Sequence, residues 1–451
     1  MTKKISYRHF FAILFIYYVF QTIIKSFYGG VEFDDAEQFL LYQGGMKWIY
    51  TNAQPPLYNW LQYLFFKLFG CNILALSMLK HILLFLIFIY TYKLLIVLNV
   101  QKNDAVVGSA LMFLLPQVSW GCELKLSHSV LLLFVSILTI YNIIKLYYDK
   151  SKVNYITFGI IVALGILSKY SYLLLLLSIL LSLLIFKDSR KILFNRKIFI
   201  SILILTILIL PHFLEVYAHF NSVATSIYSK VHKSHTIWYA FKSLILAILA
   251  FLGPLLLIIV WFAKSCKFKF RDKLFELLTL IVIVNLLLII TSTFVGLFDN
   301  FKERWFLPYL FLVPIILIGV VDNQCIKDKK IKIFKIVYFF MALLLLMFLT
   351  RLFLPNVVAK IKKGKYSHDA INYSYLKKYI NSKNKIIICD NLALCGNIKM
   401  IFSDSKVLMN MRKKGDIFIS HSRIKGAKEL YLPCKYGSDK CLKVYIKEGN
   451  K

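Results

Sequence analysis

Residues 33–70 read FDDAEQFLLYQGGMKWIYTNAQPPLYNWLQYLFFKLFG. The stretch opens on two adjacent carboxylates, Asp34 and Asp35, adds Glu37, and runs through an amphipathic segment to the rigid pair Pro55 and Pro56. With Glu32 just ahead, four acidic residues follow the first apolar segment of a chain whose formal net charge is +34. That local reversal of sign is the feature around which the rest of the chain is organised.

Outward from it, the 451 residues are 59% hydrophobic and carry repeated apolar runs about as long as a bilayer is thick. These imply a polytopic α-helical membrane protein. The basic residues stand in short clusters between apolar runs, not along one amphipathic face or arm, so the lipid bilayer is their partner and nucleic acid is not. Residues 10–24 follow Lys3, Lys4 and Arg8 as a secretory signal would, but no small-residue cleavage site comes after them, and the segment reads as a retained helix. Apolar length places helices at about 7–25, 76–98, 105–120, 128–146, 155–168 and 170–186. Five more fall at 198–214, 241–262, 274–296, 305–321 and 333–353, about eleven in all.

Lysine and arginine give the expected sidedness. Loops holding Lys102, then Lys150 and Lys152, then Lys187, Arg190, Lys191, Arg196 and Lys197 alternate with poorer ones. The series continues with Lys264, Lys267, Lys269, Arg271 and Lys273, and then with Lys327, Lys329 and Lys330. The rich loops share the N-terminal side, which is cytoplasmic in a plasma (inner) membrane. The first loop, 29–71, and the region after the last span then lie outside the cytoplasm. Two domains follow: a membrane domain, 1–354, and an extracytoplasmic α/β domain, 355–451. The latter shows a helical pattern at 369–380 and strand-like runs at 386–389, 407–410, 416–420, 429–433 and 442–446. Cys434 and Cys441 flank KYGSDK between two of these strands. A bridge closing that hairpin and free thiols are both compatible with the spacing.

Charges at membrane depth are costly and usually kept for function. The segment 155–168 would rise only about 20 Å as a helix against a hydrocarbon core of about 30 Å, so Lys169 at its end is expected in a recess. In GCELKLSHS, residues 121–129, Glu123, Lys125 and His128 straddle the start of a helix, and Glu123 with Lys125 also reads as a solvated loop pair. FKERW, 301–305, puts Arg304 at a helix lip. Residues 215–240 read as a long, polar loop able to gate a site, with HKSH at 232–235 inside it. Paired carboxylates repel, which raises one pKa and suits a general base. The same acids also suit a helix N-terminus.

FDDAEQ followed by QPPLYNWLQYLFFKLFG resembles the first outer loop of the GT-C glycosyltransferases of the protein O-mannosyltransferase and lipid A aminoarabinose transferase (ArnT-like) type. LPQVSWGCELKLSHSVLLL, LGILSKYSYLLLL, LPHFLEVYAHF and RWFLPYLFLVP extend the resemblance, in the family's order, over the membrane region. The resemblance implies transfer of a sugar from a polyprenyl-phosphate donor to an extracytoplasmic glycolipid or protein acceptor, generally with inversion. It implies Asp34 as base or cation stabiliser beside Asp35, and Lys169 and Arg304 on the donor phosphate. Glu37, Gln54, Glu123, Lys125, His128, Tyr170 and His212 are the further substrate-binding candidates on the matching segments. Gln54 departs from members with Lys before the prolines. If the acceptor is itself a phosphate no base is needed, and Asp34 would mainly position it. No cofactor is implied with certainty; Asp34, Asp35 and Glu37 offer oxygen ligands to a divalent cation but make a weak set. A transporter or flippase is the competing class, disfavoured by unequal outer loops and by carboxylates outside the membrane. A structural or sensor protein leaves the acidic loop unexplained.

Overall fold

A computed structural model describes residues 7–50, 54–231, 236–298, 300–362, 364–381, 385–409, 415–436 and 440–448. Among these, six helices are long and apolar enough to cross a membrane, and four bent pairs bring the number to ten. The segment 155–168 corresponds to the shorter apolar helix Lys152–Ser168. This accounts for the eleven expected segments, with different geometry in several. The bends have local causes. Pro116 lies between Lys102–Leu114 and Gln117–Leu124, which meet at 68°, and the pair Gly253 and Pro254 lies between two helices meeting at 77°. Gly253 has φ 39°, a conformation a Cβ disfavours, and Pro254 opens the next helix where its missing N–H is not needed.

Helix α1 (Tyr7–Ser26) leads into the acidic loop, whose first helix is α2 (Phe33–Tyr42). Asp34 and Asp35 occupy the first turn of α2, where their charge offsets the helix dipole. Pro56 is the N-cap of α3 (Leu57–Phe69), which stops at Gly70 with φ 84°. Asn72 then caps α4 (Ile73–Val97) by accepting a hydrogen bond from the Ala75 amide. Phe39 stacks on Phe66 at 5.1 Å, which seats α2 on α3.

Two expectations change. The helix from 152 to 168 has 17 residues, not fourteen, and so rises about 25 Å, which leaves Lys169 closer to the helix-spanning depth than the shorter segment implied. Within 215–240 the described residues are largely helical: the preceding helix extends to Ala218, another covers Phe220–Val231 and a third starts at Ile237. HKSH, 232–235, lies outside the described residues.

The C-terminal part is a five-stranded sheet in the order β2-β1-β3-β5-β4, with β1 Ile386–Cys389, β2 Lys406–Met409, β3 Ile417–Ser420, β4 Lys428–Pro433 and β5 Lys440–Glu448. β1 pairs in parallel with β2 and β3, and β5 pairs antiparallel with β3 and β4. The pattern at 369–380 forms 3-10 turns, His368–Ala370 and Tyr373–Lys378, instead of a helix. The domain's helix is Leu392–Ile401, between β1 and β2. Cys434 and Cys441 are bridged across the β4–β5 hairpin, and Cys389 is bridged to Cys395. A third bridge joins Cys266 to Cys325, beside the lysine-rich loops.

This domain is locked onto the acidic loop. The Val31 amide donates to Asn397 Oδ1 at 2.8 Å, and Asn397 Nδ2 donates back to the Val31 carbonyl at 2.9 Å. Gln43 makes the same two-way bond with the Val407 backbone, at 2.6 and 3.1 Å. Arg351, at the end of the last long helix, donates from Nε to Asp369 Oδ2 at 2.5 Å and from Nη2 to Glu32 Oε1 at 3.3 Å. Between the two, α2 and helix Leu392–Ile401 touch at Gly396, where a Cβ would stand 2.0 Å from the Ala36 carbonyl oxygen. Gly396→Val must therefore push the helices apart. A loss of about 1–3 kcal/mol is expected, measured by unfolding of the detergent-solubilised chain, with faster proteolysis between the loop and the sheet.

Candidate functional site

The two adjacent carboxylates have different fates. Successive residues of a helix point about 100° apart, and Asp35 turns into the bundle while Asp34 stays partly exposed. Lys80, two turns into the apolar helix α4, donates to both Asp35 oxygens at 2.6 and 2.7 Å, and Ser127 Oγ donates to Oδ1 at 2.6 Å. Lys80 is 1% exposed, so the pair is fully desolvated. Asp35 is thus committed to holding α2 against the bundle.

Asp34 lies within electrostatic reach of three cations. Burial pushes its pKa above the ordinary carboxylate range. The charges of Arg304, Lys169 and Lys80 pull it down, and Asp35 pushes it up. Lys169 Nζ donates to Ser129 Oγ at 2.8 Å, two residues beyond the serine that holds Asp35. Arg304 lies in the short turn Glu303–Phe306. The acidic loop, the stretch 121–129, the end of Lys152–Ser168 and the turn at Arg304 therefore converge.

Of the other candidates, Tyr170 and His212 form one chain. His212 Nδ1 lies 2.8 Å from the Trp48 carbonyl, which can only accept, so that nitrogen carries the proton. In the neutral ring Nε2 then accepts from the Tyr170 hydroxyl at 3.2 Å. His128 is 7% exposed and packs its ring 5.3 Å from that of Tyr58. Glu37 and Gln54 are partly exposed.

Glu123 is not a solvated partner of Lys125. It is 1% exposed, and its Oε2 accepts from Lys25 Nζ and lies against His81 Nε2, both at 2.8 Å. Lys125 is exposed and sits near Lys362 of the C-terminal part, whose charge it feels. Sequence reasoning missed Lys25, Lys80 and His81. The signal was available: a lysine and a histidine stand side by side inside the apolar run of α4. Two lysines and two carboxylates, Lys25, Lys80, Asp35 and Glu123, make a buried cluster with balanced formal charge. Among the described residues no group of three or more His, Cys, Asp or Glu gathers as a metal site. Lys80 engages both oxygens of Asp35, one of the three acids in the weak oxygen set that the acidic loop offers.

Breaking a buried pair on one side leaves an uncompensated charge, so Lys80→Met is expected to cost about 3–5 kcal/mol, whereas Lys80→Met with Asp35→Asn restores most of it. Unfolding of the three proteins in the same detergent checks this.

The family described as dolichyl-phosphate-mannose-protein mannosyltransferase matches residues 53–214. The chain is 28% identical over 322 residues to the lipopolysaccharide core galacturonosyltransferase RgtB of Rhizobium johnstonii, covering 68% of this chain and 63% of that protein. It is 28% identical over 302 residues to the galacturonosyltransferase RgtA of the same organism, covering 63% and 58%. The chain thus spans about three fifths of the length of these relatives. In fold it matches the crystal structure of ArnT from Cupriavidus metallidurans bound to undecaprenyl phosphate. The TM-score is 0.63 at 10% identity, over 96% of this chain and 97% of that one. The apo form of the same protein gives 0.62, also at 10% identity and over 97% of each chain. By fold this is a polytopic helical membrane protein like ArnT, with a small C-terminal α/β domain, and in sequence it is similar to the protein mannosyltransferase family and to the two lipopolysaccharide core galacturonosyltransferases.

Proposed function

We propose that the chain is a membrane glycosyltransferase that takes a sugar from a polyprenyl-phosphate carrier and passes it, with inversion, to a glycolipid of the lipopolysaccharide type or a protein. The observation that carries this is that the Asp34 carboxylate lies within electrostatic reach of both Arg304 and Lys169, whose charges lower its pKa. The kinship with lipopolysaccharide core galacturonosyltransferases and the shared fold with an undecaprenyl-phosphate-binding protein support the donor and acceptor classes.

Departure of a sugar from a phosphate builds positive charge at the anomeric carbon and negative charge on the phosphate, as in glycoside hydrolysis. Lys169 and Arg304 stabilise the phosphate as it leaves. Asp34 accepts the acceptor's proton or steadies the sugar cation. Burial raises its pKa, so it takes up a proton more readily than an ordinary carboxylate, and the two cations hold that rise in check. Asp35 acts through position, holding the first turn of α2 by way of Lys80. Tyr170 and His212 brace Trp48, and Glu123 braces the start of the helix that carries Ser127 and Ser129. Glu37, Gln54, Lys125 and His128 line the approach to the same region.

In this reading residues 1–354, with the loop 29–71, form the catalytic membrane domain. The lysine-rich loops and the N-terminus face the cytoplasm, while the site and residues 355–451 lie outside the inner membrane. In a Cys71→Ser background a membrane-impermeant maleimide is expected to label Lys125→Cys in intact spheroplasts and to leave Lys191→Cys unlabelled until the membrane is opened. The reverse pattern overturns the orientation.

Asp34→Asn is expected to lower kcat by about 10²–10⁴-fold with normal membrane insertion. Mass spectrometry of envelope glycolipids and glycoproteins with and without the gene identifies the product. Because the active form is ionised, kcat/KM should fall as pH drops through a midpoint above the ordinary aspartate value of about 3.9. Arg304→Gln removes a charge that lowers this pKa and should move the acid limb to higher pH. An unmoved limb counts against Asp34 as the titrating group.

A further inference from the structure

The C-terminal sheet has the topology of an open parallel sheet on one side. From β1 the chain turns through helix Leu392–Ile401 to β2, and from β3 it leaves on the opposite side toward β4 and β5. The crevice beyond the carboxyl ends of β1 and β3 is therefore a topological switch point, the place where such sheets bind ligands. Cys389 pairs with Ile419 in register, so the next residues on each strand, Asp390 and then Ser420 and His421, meet there.

What meets there is a set of planar hydrogen-bonding groups. Asp390 Oδ2 accepts from Ser420 Oγ at 2.8 Å and from the His421 amide at 2.7 Å, and its Oδ1 lies 3.2 Å from His421 Nδ1. Asn391 reaches the same imidazole nitrogen. The His421 side chain is 27% exposed and that of Asp390 19%, so both keep hydrogen-bonding capacity toward solvent. His421 lies near enough to His368 for their charges to interact, and the Phe33 ring stands edge-on to His368 with centroids 6.1 Å apart. Phe33 is 51% exposed and is the residue immediately before Asp34. An exposed aromatic ring against one imidazole, with a carboxylate, an amide and a second imidazole in the neighbouring crevice, suits a ring that carries hydroxyls on its edge and C–H groups on its face.

We infer that Phe33, His368, Asp390, Asn391 and His421 form a subsite for the acceptor glycan, in which the C-terminal domain presents a hydroxyl-rich sugar to Asp34. This rests on the transferase reading above and gives the C-terminal domain a role in it. The bonds that clip the loop to the domain, Asn397 to Val31 and Gln43 to Val407, fix the distance between the aromatic platform and the polar crevice.

The test uses the full-length chain in nanodiscs with Asp34→Asn, so that binding is read without turnover. The probe is core oligosaccharide released from lipopolysaccharide by mild acid, titrated calorimetrically. Phe33→Ala and His421→Ala are each expected to raise Kd at least tenfold, while the unfolding transition and the affinity for undecaprenyl phosphate stay as in the parent. Asp390→Asn, which keeps the acceptor oxygen, should show a smaller loss. Unchanged oligosaccharide affinity in both Phe33→Ala and His421→Ala overturns the subsite, as does loss of undecaprenyl phosphate binding in parallel, which would mark a general distortion. If the wild-type chain transfers no sugar yet binds the probe through Phe33 and His421, the transferase reading fails and the subsite stands. If it transfers sugar with an acceptor KM indifferent to both substitutions, the reverse holds.

Discussion

The ion pair between Lys80 and Asp35 is the constraint on which the candidate site depends. A lysine two turns into an apolar helix has a large desolvation cost, offset here only by an aspartate that grips it with both oxygens and by a serine that completes the bonding. Because the aspartate belongs to the loop, satisfying the lysine draws the first turn of α2 into the bundle. The neighbouring carboxylate is then delivered, by helix geometry alone, to the edge where the other two cations stand. The same logic repeats one layer away with Lys25, His81 and Glu123, so the polar interior is built from partners contributed by α1, α4 and the bent segment before Ser127.

A second clamp acts from the other side. Arg351 closes the last long helix by binding Asp369 of the sheet domain and Glu32 of the loop at once. The acidic loop thus lies between two sets of buried charges, one in the bundle and one at the domain boundary. Its four acids divide the work: Glu32 faces Arg351, Asp35 faces Lys80, Asp34 is left to the site, and Glu37 is partly exposed on the same helix.

Much of this was legible before any coordinates. Apolar length anticipated the long helices and the bent pairs of the bundle, because burial in lipid demands long runs. The sign reversal at Glu32 to Glu37 marked the loop, and Lys169 and Arg304 were flagged by their place at helix ends. What the sequence concealed were matters of partner and depth. Asp34 and Asp35 look equivalent in a string of letters and differ only through the face of α2 that each occupies. Glu123 and Lys125 look like a pair because they are two apart, yet helix geometry sends them to different surroundings. The 3-10 turns at 368–378 defeated a helical pattern because that segment packs against the acidic loop and the sheet, where Gly29 and Gly30 come too close to the 368–372 backbone to carry side chains. Short elements follow such contacts more than their own periodicity.

The reciprocal bonds of Asn397 with Val31 and of Gln43 with Val407 join positions more than three hundred and fifty residues apart. A ribosome has therefore threaded the whole membrane bundle before the loop that bears Asp34 acquires its lid. Until then the loop has only the bundle to lean on. The finished form of the acidic loop is therefore a property that arrives late in biosynthesis, and a nascent chain already inserted in the membrane would hold Asp34 against the bundle without its C-terminal cover.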